Sequence, residues 1–326
     1  MKIVFYNRLD RLWLQKIEEL RNEFSHVDFI TDEQRVKAEL QSANALVAWA
    51  ISLELIRGAQ QLEMIFVPLA GVDGFPLDYV KERGVKISNA HGNAPYVAER
   101  GIAMALAFYG KVIDYHNDLK ESRWHGFAAQ RGIGDTWDSI RGRACAIIGT
   151  GEIGKQIAKL LNAFDCRVIG FKKRPVRETP EHFDEITLNL DEALQEGELI
   201  FICLPLTEQT KGMFSAEVLA GLKGKFLVNV GRGGIVDEEG LYRALKNGIL
   251  KGAGIDVWYG YPKKGEDQRN PSKYPIHELP NVVLSPHVGG FTPQAATLNI
   301  EQTIDNIRAY LKTGKPIFEV DIDLMY

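Results

Sequence analysis

Short apolar runs recur along the chain, separated by longer stretches in which apolar residues return at helical spacing. Runs of this length with no polar alternation predict buried parallel strands, and the spaced stretches predict helices packed on them. In the first part of the chain the runs are Lys2–Tyr6, Val27–Ile30, Ala45–Trp49, Leu62–Phe66 and Val85–Ser88, with a helix expected over Leu12–Phe24. A second series comprises Ala144–Ile148, Val168–Phe171, Leu199–Leu204, Phe226–Val230, Gly252–Val257 and Val282–Ser285. Between the two series, the stretch from Tyr96 to about Glu121 is apolar on much of its circumference, which predicts one long buried helix. A linker, Ser122–Arg141, carries Trp124, Gly126, Gly132, Gly134 and Trp137, and Gln294–Leu311 predicts a closing helix. Strand alternating with helix places the chain in the α/β class.

The segment Arg143–Arg174 is the most informative. The run ending at Ile148 stops at Gly149-Thr150-Gly151-Glu152-Ile153-Gly154, after which Ile153, Ile157, Leu160 and Leu161 fall on one helical face. The first glycine permits a tight turn, the second lets a ligand approach the backbone, and the third lets helix and strand pack closely. A pyrophosphate suits that helix N-terminus, where free amides and the helix dipole favour negative charge. A glycine turn in some other α/β fold is the competing reading. At the end of the next strand an NAD site places an acidic residue for the ribose hydroxyls. This chain has Lys172-Lys173-Arg174 there. Cations suit a 2′-phosphate, through charge-assisted bonds of about 1.5–3 kcal/mol each, so two would favour NADP over NAD on the order of a hundredfold. The alternative is a solvated basic turn before Pro175.

Composition narrows the function classes. A length of 326 residues supports two cores, and a formal net charge of -4 gives no general affinity for nucleic acid. No apolar run approaches a membrane span, and the first ten residues resemble a strand rather than a signal peptide, so a cytoplasmic protein without a membrane partner is expected. Cys145, Cys166 and Cys203 lack metal-ligand spacing and lie in or beside apolar strands. Three buried reduced thiols are expected, and no metal site.

Polar residues at strand ends carry the candidate chemistry, since open α/β sheets bind ligands along that edge. Arg232 follows one strand, Asp256 lies near the end of another, and His287 follows the last. An arginine fork can grip a carboxylate and polarise a carbonyl, and a histidine can exchange a proton near neutral pH. In the first part of the chain, the loops Pro68–Gly74 and Asn89–Pro95 also follow strands, and glycines in the first would expose amides to a small anion. Taken alone, each is better read as a plain turn.

In order along the chain, GTGEIG, LPLTEQTKGM, NVGRGGIVDEEGL, GAGIDVW and LPNVVLSPHVGG closely resemble the D-isomer-specific 2-hydroxyacid dehydrogenases. The segments Leu69–Asp73 and Asn93–Glu99 are also similar to that family, more loosely. The resemblance implies two Rossmann-like doubly wound parallel-sheet domains with a cleft between them. Residues 1–95 and 294–326 would form a discontinuous substrate domain and 96–293 the dinucleotide-binding domain, usually in a homodimer. Position by position, it implies Arg232 as substrate-binding arginine, His287 as general acid/base and Asp256 as the aspartate near the nicotinamide. Leu69, Ala70 and Gly71 would hold the substrate carboxylate. The cofactor surface would take Gly149, Gly151, Glu152, Ile153, Gly154, Lys172, Lys173, Arg174, Leu204, Pro205, Thr210, Val230, Gly231, Arg232, Asp256, His287 and Gly289. The implied reaction is hydride transfer between NADP(H), with NAD possible, and a small 2-oxo or 2-hydroxy acid of glyoxylate or hydroxypyruvate type.

One position departs from the family pattern. A glutamate usually stands just before a proline shortly after GxDV and pairs with the catalytic histidine, whereas here Tyr261 precedes Pro262. A neutral phenol cannot stabilise imidazolium as a carboxylate does, so a lower pKa is expected for His287 than in relatives. Glu266 and Asp267, in the polar segment Lys263–Lys273, are candidate substitutes. The missing glutamate also leaves open a cofactor-binding regulator or scaffold on the same fold, and formate or phosphonate oxidation is a weaker alternative.

Overall fold

Predominantly apolar runs build the central strands of both sheets. The computed structural model describes residues 1–322 and 324, and the chain divides into two units, Met1–Asn93 with Phe291–Tyr326, and Ala94–Gly290.

In the first unit, β1 (Lys2–Phe5), β2 (Asp28–Ile30), β3 (Ala45–Val47), β4 (Met64–Phe66) and β5 (Lys86–Ser88) form a parallel sheet in the order β2-β1-β3-β4-β5. Every residue of β3 and β4 is buried, which requires cover on both faces. Trp13, Ile17 and Leu20 of the helix Arg11–Glu23, with Ile300, Ile304 and Ile307 of the helix Pro293–Thr313, cover one face. Val36, Leu40, Ile56 and Val80 pack on the other.

The second unit has seven parallel strands, β6 (Ala144–Ile148), β7 (Arg167–Phe171), β8 (Glu185–Thr187), β9 (Leu199–Ile202), β10 (Phe226–Asn229), β11 (Gly252–Ile255) and β12 (Val282–Leu284), in the order β12-β11-β10-β9-β6-β7-β8. The order reverses between β6 and β9, the switch point at which doubly wound sheets bind ligands. The expected pair of doubly wound parallel sheets is therefore present. Strand β8 was not expected, because only Ile186 in its Glu185-Ile186-Thr187 sequence is a strong apolar signal.

The single long helix expected from Tyr96 to Glu121 is instead two helices, Ala94–Tyr109 and Val112–Lys120. At the break, the Gly110 amide donates to the Leu106 carbonyl at 2.8 Å, a Cβ at Gly110 would lie 2.7 Å from that same oxygen, and Lys111 takes a left-handed φ of 48°. The first piece is largely buried on the sheet, whereas the second buries no residue. Among the described residues, no helix is long and apolar enough to cross a membrane.

Candidate active site

The glycine turn leaves the carboxyl end of β6. Gly149 has φ +108°, a conformation that L side chains rarely adopt, and a Cβ on it would press on the Cys203 carbonyl carbon and oxygen at 3.1 Å. At Gly154 a Cβ would stand 2.1 Å from the Gly149 oxygen, so the helix Glu152–Asn162 can approach its strand only because that residue is glycine. Gly151 differs from both. No atom lies within 4 Å of where its Cβ would be, and as N-cap it offers no side chain to the first-turn amides. An uncapped helix start beside a residue that leaves the backbone approachable fits a dinucleotide pyrophosphate. Glu152 and Ile153 form the first turn, with Glu152 paired to Lys155 at 2.7 Å.

Lys172, Lys173 and Arg174 directly follow β7. The Lys172 amide donates to the Thr187 carbonyl at 3.1 Å, which ties the start of the basic turn to β8. Lys173 Nζ donates to Gln209 Oε1 at 2.6 Å, while Lys173 and Arg174 are exposed. All three thus stand at the carboxyl edge, on the strand next to the glycine turn.

Beyond β9 the chain runs through Leu204 and Pro205 into a turn closed by Thr210, whose hydroxyl donates to the Pro205 carbonyl at 2.6 Å and accepts from the Thr207 amide at 2.8 Å. Cys203, expected to be buried, is half-buried because it lies one residue past β9; Cys145 and Cys166 are buried, and all three are free. Beyond β10, Val230 is buried and Gly231 packs so tightly that a Cβ would meet the Leu204 oxygen at 2.6 Å. Asn229 holds this bend from both sides, accepting from the Gly231 amide and donating to the Arg232 carbonyl, each at 3.1 Å. Arg232 is half-buried, and its Nη1 donates to the Gly231 carbonyl at 2.9 Å, which limits the swing of the guanidinium.

After β11 and β12 the structure brings Asp256, Tyr261 and His287 together. Asp256 is only 2% exposed, and its carboxylate accepts three hydrogen bonds, from the Ser285 hydroxyl at 2.5 Å and from the Val288 and Gly289 amides at 3.0 Å each. His287, within that loop, is exposed and has φ 60°. The ring centroids of Tyr261 and His287 are 5.4 Å apart with the planes tilted by 50°. The Tyr261 hydroxyl oxygen accepts from the Trp258 amide at 2.9 Å, and burial pushes the phenol pKa up. Glu266 accepts from the Lys263 amide at 3.0 Å, within its own polar segment. Sequence reasoning did not find Ser285 or Trp258; the serine beside the Pro286-His287 pair was the available signal.

In the first unit, Leu69, Ala70 and Gly71 follow β4. The Ala90 amide donates to the Leu69 carbonyl at 3.1 Å and Asn89 Nδ2 to the Ala70 carbonyl at 2.9 Å. Their carbonyls are thus held, while the amides of Ala70 and Gly71 have no acceptor among the described residues.

Comparisons with known proteins identify the family and the fold. The family model for the NAD binding domain of D-isomer specific 2-hydroxyacid dehydrogenase matches residues 102–289. The hydroxypyruvate reductase of Thermotoga maritima is 30% identical over 276 residues, which span 82% of this chain and 85% of that protein. Glyoxylate/hydroxypyruvate reductase B of Yersinia enterocolitica is 29% identical over 317 residues, covering 95% of this chain and 94% of the relative. The solved structure of the NADPH-dependent glyoxylate/hydroxypyruvate reductase of Sinorhizobium meliloti matches with a TM-score of 0.77 at 23% identity, over 99% of this chain and 98% of that one, a likeness of fold. The chain belongs to the D-isomer-specific 2-hydroxyacid dehydrogenase family.

Proposed function

We propose that the protein is a reductase that uses NADPH in preference to NADH and acts on small 2-oxo acids such as glyoxylate or hydroxypyruvate. One observation carries the reading: the glycine turn after β6, the basic residues after β7, Arg232 after β10 and the His287 loop after β12 all leave the carboxyl edge of one sheet. The glycine turn and the free amides of the helix start hold the pyrophosphate, and Lys172 to Arg174 take the 2′-phosphate. Leu204, Pro205, Thr210, Val230, Gly231 and Gly289 shape the surface beside them. A bound nicotinamide supplies the hydride.

This chain's residues do the rest. The Arg232 guanidinium donates to the substrate carboxylate and carbonyl oxygen, orienting the molecule and stabilising charge that builds on that oxygen. His287 in its protonated form gives the proton that turns this oxygen into a hydroxyl. The amides of Ala70 and Gly71, beside Leu69, bind the carboxylate. In line with its family, the protein works as a cytoplasmic homodimer.

The second reading, a cofactor-binding scaffold, is favoured by Tyr261 in place of the family's glutamate. Parallel rates of NADPH and NADH oxidation with glyoxylate, hydroxypyruvate, pyruvate and a bulkier 2-oxo acid separate the two readings. Faster use of NADPH with any of them supports the reductase. Binding of both cofactors without turnover supports the scaffold.

A further inference from the structure

The family resemblance implies a place near the nicotinamide for Asp256, and in the structure both of its carboxylate oxygens are committed to protein donors. One oxygen accepts from the Ser285 hydroxyl at 2.5 Å and the Val288 amide at 3.0 Å, and the other from the Gly289 amide at 3.0 Å. Two consecutive amides converging on an anion form a nest, the backbone shape that binds phosphates and carboxylates. The residue just before them is His287, with its φ of 60°. A non-glycine residue in that region costs roughly 1–2 kcal/mol and persists only where its surroundings over-determine it.

The surroundings here do so. The carboxylate is 2% exposed, so its bonds form in a medium that strengthens them, and losing one leaves a buried charge under-compensated. The Gly289 Cβ position lies 2.8 Å from Asp256 Oδ2, so the second amide reaches the carboxylate only from a glycine. Ser285 is itself fixed, because Trp258 Nε1 donates to its carbonyl at 2.8 Å and its amide donates to the Ile255 carbonyl at 2.9 Å. The Trp258 amide in turn donates to the Tyr261 hydroxyl oxygen at 2.9 Å, which links the clamp to the ring beside His287.

We infer that Ser285 and Asp256 are positioning residues that act through the backbone of residues 287–289, with Asp256 as the anion of the nest and Ser285 as the donor that fixes its orientation. The strained backbone at His287 aims the imidazole, and the clamp holds that backbone. The inference rests on His287 being the proton donor proposed above. It moves the charge of Asp256 from the cofactor to the histidine loop, and it gives a role to Ser285, which is buried with its hydroxyl on Asp256.

The test compares Ser285→Ala, Ser285→Thr and His287→Ala in the full-length protein. Amide hydrogen exchange at Val288 and Gly289, without substrate, reads the clamp directly, and kcat, KM and the NADPH Kd read its consequence. Ser285→Ala is expected to speed exchange at both amides and to lower kcat about tenfold, with KM and the NADPH Kd near their starting values. Ser285→Thr keeps the hydroxyl and is expected to restore both readouts. Unchanged exchange in Ser285→Ala, or a loss confined to the NADPH Kd, overturns the inference. Full turnover in His287→Ala rejects the proton-donor reading instead, whereas an inactive His287→Ala beside a fully active Ser285→Ala rejects the positioning role alone.

Discussion

The Tyr261 ring lies 5.4 Å from the His287 ring, and its hydroxyl oxygen is held by the Trp258 amide at 2.9 Å rather than left to a carboxylate-like role. Burial pushes the phenol pKa above its ordinary value of about 10, so Tyr261 stays neutral near neutral pH. A neutral neighbour gives imidazolium no ion-pair stabilisation. With His287 as the proposed proton donor, kcat/KM for reduction is expected to fall as pH rises. Tyr261→Glu is expected to move that fall to higher pH, by about one unit. A pH–rate profile of both proteins checks this, and a coincident pair of curves contradicts it.

The basic turn after β7 is proposed above to set the cofactor preference. Removing charge with Lys172→Asp or Arg174→Ala is expected to cut kcat/KM for NADPH about tenfold or more, because each 2′-phosphate bond is charge-assisted, and to leave NADH little changed. Rates with each cofactor give the ratio directly. An equal loss with both would assign the turn a structural role.

Gly151 and Gly154 are expected to fail in different ways. Gly154→Ala puts a methyl 2.1 Å from the Gly149 oxygen, so it is expected to destabilise the second unit by a few kcal/mol. Gly151→Ala meets nothing within 4 Å, so thermal unfolding is expected to stay near the starting protein while the NADPH Kd rises about tenfold. Calorimetry and a fluorescence titration separate the two outcomes.

A histidine held between two carboxylates lies in the segment after the broken helix. His125 faces Asp135 at 2.9 Å through Nδ1 and Asp118 at 2.8 Å through Nε2, with the Tyr115 ring stacked on it at 4.6 Å. Hydrogen bonds first to Asp135 and then to Asp118 raise the His125 pKa. Asp135 is lowered first by the Gly126 amide, and Asp118 first by Arg123. The histidine contribution is therefore complete below about pH 6.5 and lost as pH rises through the raised pKa, and the carboxylate contributions are lost only as pH falls through their lowered values. Proteolysis within residues 118–135 is expected to be slowest between about pH 4 and 6.5 and faster above neutrality, and His125→Gln is expected to remove that dependence on the alkaline side. A cleavage rate flat across this range contradicts this expectation.

The fold was legible where local chemistry dictates it. Gly149 and Gly154 each answer a steric demand made within a few residues, and the apolar runs of β3, β4 and β9 have no other stable use than a buried strand. Strand β8 escaped because three residues with one strong apolar member carry too little pattern, and the break at Gly110 escaped because apolar spacing continues through Val112 and Ile113. At the candidate site, Arg232 and His287 could be named from their places after strands. The bonds of Asp256 could not, since its partners Ser285, Val288 and Gly289 are 29 to 33 residues away and meet it only through the pairing of β11 with β12.

The central claim is tested most directly by the initial rate of NADPH oxidation with glyoxylate and hydroxypyruvate, measured for the wild-type protein beside His287→Ala. A hydride-transfer enzyme that draws its proton from His287 gives steady turnover in the first and a loss of about a hundredfold to ten-thousandfold in the second. No turnover by the wild type with cofactor bound, or equal rates in the two proteins, would contradict it.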